Sequence, residues 1–392
     1  MDFTKLQTPC FIVDEAAFQE NIEDFHAALE KNFKSHIIGY SYKTNSLPYI
    51  LKTAKNLHCY AEVVSDTEYA LAQKIGYSPE QIVFNGPIKG EEKFKEAVLG
   101  GSIVNLDSHR ELRWLSECKE KNLKVGLRVN FNLNNILPHE TSAEEAGARF
   151  GFNYETGKLK EAVDSIKAMG NVKVVGLHMH VSTHSHSQNI YRELTKKACE
   201  IAEEYNLSLE YIDVGGSFFG GGDGGKQYEA YCKTIHDVLV DFHKEDLCVI
   251  VEPGASVIAN PISFLSRVID AKETDVNHFV VTDGSRVNLD PFMRKEKYVY
   301  EIFSDSEETE GEQIICGYTC METDRMMTIK NEKKLKENDY ILYKIVGSYT
   351  MCFNPLFIEY FPRVYALGKD GEYRLVRDKW TVEEYCQKSV WE

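Results

Sequence analysis

The sequence predicts an α/β protein in which a closed (β/α)8 barrel of the TIM type is followed by a C-terminal β domain. Eight apolar runs rich in β-branched residues alternate with helical patterns as far as about residue 262. Beyond that point, strand-like runs with turn residues between them replace the alternation. Strand–helix alternation predicts a parallel sheet, and eight units predict closure. A doubly wound open sheet is the alternative.

The expected elements follow one another in a regular order. A short strand at 11–13 and an amphipathic helix with Phe18, Ile22, Phe25 and Leu29 at helical spacing come before the barrel. The barrel strands are expected near 37–42, 60–64, 82–84, 103–105, 124–130, 173–178, 209–213 and 248–251. The helices between them are expected at 66–76, 91–99, 108–120, 156–169, 190–205 and 227–244.

Three segments are expected from this order. Residues 1–30 hold the N-terminal strand and helix, residues 31–262 form the barrel, and residues 263–392 form the C-terminal β domain. The first strand precedes the barrel and has no place within it. We therefore expect that strand to join the sheet of the β domain.

Composition restricts the classes of partner. The 392 residues carry a formal charge of −16, which disfavours nucleic acid and anionic membranes because both attract basic surfaces. No apolar run approaches the ~20 residues of a membrane span, and no secretory signal is visible at the N-terminus. The ten cysteines are scattered without a CxxC pair, as in reduced proteins. A cytoplasmic protein is expected.

Chemically versatile residues follow several of the predicted barrel strands. These are Lys43, Glu62, His180, the turn 215–217 and the turn 252–254. Each has an ordinary structural explanation by itself, but strand ends of a (β/α)8 barrel meet at one mouth, where active sites lie. A lysine can form a Schiff base, a glycine turn can hold a phosphate, and a carboxylate can keep a ring nitrogen protonated. Together with a flat imidazole, these groups suit pyridoxal phosphate.

A family resemblance extends from about Thr8 to about Tyr365. The matching stretches are TPCFIVDE, YSYKTN, EVVSDTE, LRVN, RFGF, GLHMHVST, IDVGGSF, VEPG, GYTCMETD and GSYT. In these stretches the chain resembles the fold-type III pyridoxal-phosphate enzymes, in particular the decarboxylases of diaminopimelate and ornithine. The resemblance implies that the enzyme decarboxylates an amino acid, a small-molecule substrate, through a Schiff base on Lys43.

The resemblance also implies roles for individual residues. His180 would stack on the cofactor ring, Glu252 would hold the pyridine nitrogen, and Cys320 from a second subunit would return a proton to the substrate. The implied catalytic residues are Lys43, His180 and Cys320. The implied cofactor contacts are Lys43, Glu62, His180, Thr183, Gly215, Gly216, Ser217, Glu252, Gly254 and Tyr349. Because Cys320 would act across an interface, a head-to-tail homodimer with shared sites is expected.

Three positions depart from the family pattern. Ala255 and Asp290 stand where diaminopimelate decarboxylases have arginines, and Met321 stands where an acidic residue usually follows the site cysteine. Arginine is the natural partner of a carboxylate, so these changes argue against meso-diaminopimelate and favour a basic or derivatised amino acid. The candidate substrate contacts are Asp290, Glu322 and Asp324. Arg128 or Arg286 would have to replace the phosphate contact missing at Ala255.

Other interpretations of the sequence remain open. An amino-acid racemase and a non-catalytic pyridoxal-phosphate-binding or regulatory protein are the alternatives to a decarboxylase. Four histidines, at 178, 180, 184 and 186, lie close together, but no cysteine or carboxylate accompanies them in the sequence. A metal site needs three or four converging ligands, so no metal is expected.

Overall fold

The computed structural model describes residues 3–142, 146–220 and 226–391. The chain separates into two compact units, one spanning Asn21–Ser256 and one combining the chain before Asn21 with the chain from Val257 onward. The sequence analysis places the divisions after residues 30 and 262, and those domain boundaries stay a prediction. Within the described parts of the chain, none of the helices has both the length and the apolarity needed to cross a bilayer.

The first strand and helix of the chain are β1 (Cys10–Asp14) and α1 (Glu15–Asn32). The next strands are β2 (His36–Ser41), β3 (Tyr60–Ser65), β4 (Ile82–Ile88), β5 (Ile103–Leu106), β6 (Leu123–Asn130), β7 (Phe152–Asn153), β8 (Val172–His178), β9 (Tyr211–Asp213) and β10 (Cys248–Val251). The accompanying helices are α2 (Pro48–Asn56), α3 (Asp66–Ile75), α4 (Glu91–Leu99), α5 (His109–Glu117), α6 (Lys158–Met169), α7 (Gln188–Glu204), α8 (Tyr228–Asp241) and α9 (Ala255–Ile258).

Eight of these strands close into a ring. They pair in parallel in the order β2-β3-β4-β5-β6-β8-β9-β10, and β10 pairs back to β2. The two-residue strand β7 pairs with the end of β6 outside the ring. The predicted (β/α)8 barrel is confirmed, and the open-sheet alternative is wrong.

One tyrosine reaches across the inside of the barrel. Strands β6 and β8 are buried along most of their length and carry Gly126 and Gly176. A Cβ at either glycine would overlap the side chain of Tyr211, which extends from β9. The two glycines therefore make the space that the tyrosine occupies.

The second unit is built on a nine-stranded sheet. Its strands after β10 are β11 (Ile262–Glu273), β12 (His278–Thr282), β13 (Val299–Phe303), β14 (Thr309–Cys316), β15 (Arg325–Lys333), β16 (Tyr340–Lys344), β17 (Arg363–Leu367) and β18 (Tyr373–Arg377). Short helices α10 (Arg286–Leu289) and α11 (Val382–Cys386) accompany them. Strand β1 lies between β11, to which it is antiparallel, and β17, to which it is parallel. The predicted placement of the N-terminal strand in the β domain is confirmed.

Candidate active site

Lys43 lies in the turn that follows β2, at the carboxyl end of the barrel strands. Its Nζ donates a hydrogen bond to Glu62 Oε2 at 2.8 Å. The exposed fraction of the Lys43 side chain is 37%, whereas that of the Glu62 side chain is 1%. Ser41 Oγ donates to the same carboxylate oxygen at 2.8 Å. A buried carboxylate thus anchors a lysine that is accessible at the barrel mouth.

Asn85 connects two buried carboxylates. Its Nδ2 lies 2.5 Å from Glu252 Oε1 and 3.1 Å from Glu62 Oε1, so one amide donates to both. Asn85 carries no role predicted from the sequence. The available signal was a polar residue inside an apolar strand, at the end where the barrel strands carry their chemistry.

Glu252 is held in its ionised form by its surroundings. Burial would raise the pKa of Glu252, but the neighbouring His178 and Lys43 outweigh burial and hold that pKa below its usual range. His178 Nε2 lies 3.5 Å from Glu252 Oε2. Burial, followed by the charge of Glu252, raises the pKa of Asp213 well above its usual range. The pair therefore keeps its proton on Asp213 and its negative charge on Glu252.

His180 is a neutral, flat ring in this site. Burial and then the charge of Arg128 hold the pKa of His180 well below its usual range. Its Nδ1 accepts the backbone N–H of Gly216 at 3.0 Å, which leaves Nε2 to carry the ring proton. The ring of His178 lies nearly parallel to it, at 19° with centroids 6.2 Å apart. His180 thus presents a rigid, uncharged face.

The glycine turn after β9 brings backbone close to these side chains. Gly215 has φ +74°, and a Cβ there would overlap His180. A Cβ at Gly216 would overlap the carbonyl oxygen of Glu252. Gly215 N–H also donates to Asp213 Oδ1 at 2.9 Å. No other residue type would permit this approach of the turn to the site.

Two buried hydroxyl groups follow strands β8 and β10 in the chain. Thr183 Oγ1 and Ser256 Oγ are buried and have no hydrogen-bond partner among the described residues. A Cβ at Gly254 would overlap the side chain of Thr44. Ser217 has a left-handed backbone, with φ +64°. Buried hydroxyls are ordinarily hydrogen-bonded, so an acceptor such as a phosphate would satisfy them. The carboxylate, imidazole, lysine and glycine turns described above also fit pyridoxal phosphate.

Two arginines could supply the contact that Ala255 lacks. Arg128 is buried, with Nη1 3.6 Å from Asp107 Oδ1 and Nη2 3.5 Å from the carbonyl oxygen of His180. Arg286 belongs to the β unit and pairs with Asp290 Oδ2, at 3.0 Å from Nη2 and 3.2 Å from Nε. Arg128 belongs to the barrel and contacts His180, so it is the stronger candidate for the phosphate contact.

The other expected site residues belong to the β unit. Cys320 is exposed between β14 and β15, and Tyr349 has φ +54° and is partly exposed. Glu322 is almost fully exposed and pairs with Arg325 at 3.4 Å. Their roles stay a prediction.

Asp290 and Asp324 both have structural partners. Asp290 Oδ2 accepts the backbone N–H of Lys295 at 2.7 Å in addition to its ion pair with Arg286. Asp324 is buried and accepts hydrogen bonds from Ser285 Oγ, the backbone of Arg286 and both donors of Thr319, at 2.7–3.0 Å. A substrate contact by either carboxylate stays a prediction. The expected absence of a metal also stays a prediction.

Comparisons with known proteins agree on one family. The model described as "Pyridoxal-dependent decarboxylase, pyridoxal binding domain" matches residues 19–259. The probable chloroplastic diaminopimelate decarboxylase of Oryza sativa subsp. japonica is 27% identical over 395 residues, or 97% of this chain and 79% of the relative. The L-glutamyl-[BtrI acyl-carrier protein] decarboxylase of Niallia circulans is 23% identical over 408 residues, or 97% and 93%.

Solved structures share the fold across the whole chain. Two crystal structures of diaminopimelate decarboxylase from M. jannaschii, one of them in co-complex with L-lysine, cover 100% of this chain and 94% of their own. They are 24% identical to it, with TM-scores of 0.88 and 0.87. The expectation that excludes meso-diaminopimelate finds no support here, because several relatives are diaminopimelate decarboxylases.

The family match includes the lysine, the histidine, the glycine turn and the carboxylate that meet at the barrel mouth. It favours decarboxylation over the racemase and the non-catalytic alternatives. The chain therefore belongs to the pyridoxal-dependent decarboxylase family, and it is an enzyme that decarboxylates an amino acid with pyridoxal phosphate as its cofactor.

Proposed function

We propose that Lys43 attaches the cofactor and that the substrate is a basic or derivatised amino acid without a second free carboxylate. The observation that carries the proposal is the buried carboxylate of Glu252, which Asn85 and His178 contact inside the same mouth as the accessible Lys43. A permanent negative charge at this depth is costly unless a cationic group faces it. A protonated pyridine nitrogen is such a group.

The remaining residues bind and orient. The neutral ring of His180 stacks on the flat cofactor, while Arg128, Thr183, Ser256 and the glycine turn hold its phosphate. Pyridoxal phosphate, when bound, supplies an electron sink for the charge left when the α-carboxylate departs. Glu62 accepts a hydrogen bond from the Lys43 ammonium and so aims it into the mouth.

A proton donor must complete the reaction at Cα. Decarboxylation requires no base to remove the α-proton, but it requires an acid afterwards. Cys320 is an exposed thiol, and we place it in the site of a second subunit. This assignment requires a head-to-tail homodimer. We also propose that the enzyme is located in the cytoplasm.

An exposed apolar surface in the β unit supports the dimer. Phe292 and Phe353 lie with ring centroids 4.8 Å apart, and Tyr349 lies 6.2 Å from Phe353. Leu356, Phe357 and Ile358, which follow in the sequence, are also exposed. Contiguous apolar patches on soluble proteins mark protein–protein interfaces.

The substrate class follows from charge at two positions. Ala255 cannot bind a carboxylate, and Asp290 supplies a negative charge that its pairing with Arg286 already neutralises. Neither position offers the free guanidinium that a distal carboxylate would need. A substrate whose side chain ends in an amine, a guanidine or an amide-linked group meets this requirement.

The test is CO2 release from the holoenzyme with a panel of L-lysine, L-ornithine, L-arginine, meso-diaminopimelate and a γ-glutamyl amide. We expect turnover of at least one substrate without a second free carboxylate and none of meso-diaminopimelate. Preferred turnover of meso-diaminopimelate would overturn the substrate class and leave the decarboxylation intact. Formation of both enantiomers of a substrate without release of CO2 would overturn decarboxylation as the reaction.

A further inference from the structure

A chain of hydrogen bonds runs along the inside of the barrel from Tyr211 to Glu252. Tyr211 Oη lies 2.7 Å from Asn105 Oδ1, and Asn105 Nδ2 lies 2.9 Å from Asn85 Oδ1. Asn85 Nδ2 then contacts Glu252 Oε1 at 2.5 Å and Glu62 Oε1 at 3.1 Å. Three buried side chains from three strands thus connect the interior to the active-site carboxylate.

Every donor in this chain points toward the carboxylates. The Tyr211 hydroxyl donates to the Asn105 carbonyl oxygen, and the Asn105 amino group then faces the carbonyl oxygen of Asn85 and, at 3.3 Å, Asp213 Oδ2. That contact in turn directs the Asn85 amino group at Glu252. If the Asn105 amide turned over, its oxygen would face the oxygen of Asn85, and the donor on Glu252 would be lost.

Tyr211 is suited to be the first donor. Burial raises the pKa of Tyr211 well above its usual range, so the phenol keeps its proton. Gly126 and Gly176 accommodate the ring, as described above. On its other side Tyr211 lines an apolar cavity of about 310 Å³ near the amino ends of the strands.

We propose that Tyr211 is a positioning residue for Glu252, acting through the amide orientations of Asn105 and Asn85. The inference rests on the proposed role of Glu252 toward the cofactor nitrogen. Tyr211 touches neither cofactor nor substrate in this proposal. It fixes the donor that holds the Glu252 carboxylate in place, from the opposite end of the barrel.

The test is Tyr211→Phe, which removes the hydroxyl and keeps the ring that fills the barrel. Two properties of the holoenzyme are measured: the pH dependence of the bound cofactor's absorbance, and the rate at which the cofactor is released. Losing one buried donor should speed release roughly threefold to tenfold. It should also change the absorbance in the same sense as Glu252→Gln, by a smaller amount.

Tyr69→Phe is the matched control. Tyr69 is a buried tyrosine whose hydroxyl bonds to Ser102 Oγ at 2.9 Å, away from this chain. Its loss should change the melting temperature but neither the absorbance profile nor the release rate. If Tyr211→Phe behaves like Tyr69→Phe, the inference is wrong.

Glu252→Gln separates this inference from the function on which it rests. No change in absorbance or release in Glu252→Gln would overturn the proposed role of Glu252, whatever Tyr211→Phe does. A change in Glu252→Gln without one in Tyr211→Phe would overturn only the positioning role. Should Tyr211→Phe fail to fold, Asn105→Ala interrupts the same chain and must show the same two changes.

Discussion

Lys89 and Glu111 form an ion pair in which both side chains are fully buried, with Nζ 3.5 Å from Oε2. Lys89 also donates to the carbonyl oxygen of Gly86 at 2.7 Å, and the same Glu111 oxygen accepts the backbone N–H of Asp107 at 2.7 Å. Burial lowers the pKa of Lys89 and raises the pKa of Glu111, because both charged forms lose hydration. Each charge is therefore tolerated only because of the other.

Removing one member of this pair should be costly. Lys89→Met leaves the Glu111 carboxylate buried without its cation, and we expect a loss of about 3–5 kcal/mol in the free energy of unfolding. Lys89→Met combined with Glu111→Gln should recover most of that loss, since no buried charge remains. Urea unfolding measures both. Lys95→Met, which breaks only exposed ion pairs, should cost less than about 1 kcal/mol.

Lys43→Ala should abolish the covalent attachment of the cofactor. Its neighbour Glu62 cannot replace an amine, so the visible absorbance band of the bound cofactor should disappear and CO2 release should stop. Absorbance spectroscopy of the purified protein after addition of pyridoxal phosphate measures the effect. Lys52→Ala, at an exposed lysine of α2, should keep the band. An undiminished band in Lys43→Ala would assign the attachment to another lysine.

Cys320→Ala should slow the step that follows loss of CO2. Removing a positioned proton donor costs about 10²-fold or more in rate, so kcat should fall while cofactor absorbance stays normal. Cys352→Ala, at another exposed cysteine, should retain the rate. Mixing Cys320→Ala with Lys43→Ala protein should restore activity, because each hybrid dimer would hold one complete site. No recovery after subunit exchange would contradict the shared sites.

A pair of histidines should make the barrel less stable in mild acid. His26 Nδ1 lies 3.4 Å from His36 Nε2, and His26 Nε2 lies 3.1 Å from the carbonyl oxygen of Leu57. Burial is the main reason that both pKa values are lowered, although the charge of Glu30 opposes it. The unfolded chain therefore binds more protons below its histidine pKa, and stability must fall as the pH falls through that value.

The measurement is urea unfolding at pH 7.5 and pH 5.5. Because both rings are partly exposed, we expect His26→Gln to reduce the acid-induced loss by about 0.5–1 kcal/mol relative to the unchanged protein. His139→Gln, at an exposed histidine, should leave the loss unchanged. Equal losses in the unchanged protein and in His26→Gln would show that other groups cause the acid sensitivity.

Much of the barrel could be predicted because its signals are local. Each strand is a short β-branched run, each run precedes a helical pattern, and the ends of such strands must meet at one mouth. This reasoning identified Lys43, Glu62, His180 and Glu252 before any geometry was known. It also placed the first strand in the β domain, since that strand had no partner inside the barrel.

The buried network could not be predicted because its contacts are distant along the chain. Asn85 and Glu252 are 167 positions apart, and Tyr211 and Asn105 are 106 apart. A single sequence shows that these residues are polar, but periodicity does not show which of them face one another across a barrel. The raised pKa of Asp213 likewise depends on its burial and on the nearby charge of Glu252.

Strand β1 has a consequence for how the chain is made. Its neighbours in the sheet are β11 and β17, so Phe11 pairs with both Phe264 and Val364. A ribosome delivers the amino end first, and domains generally fold as units while synthesis continues. All the barrel strands can leave the ribosome before β11 and β17, the strands that pair with β1, have been synthesised. Strand β1 thus leaves the ribosome before the barrel but is covered only after it, and an exposed apolar strand of this kind is where a chaperone would bind.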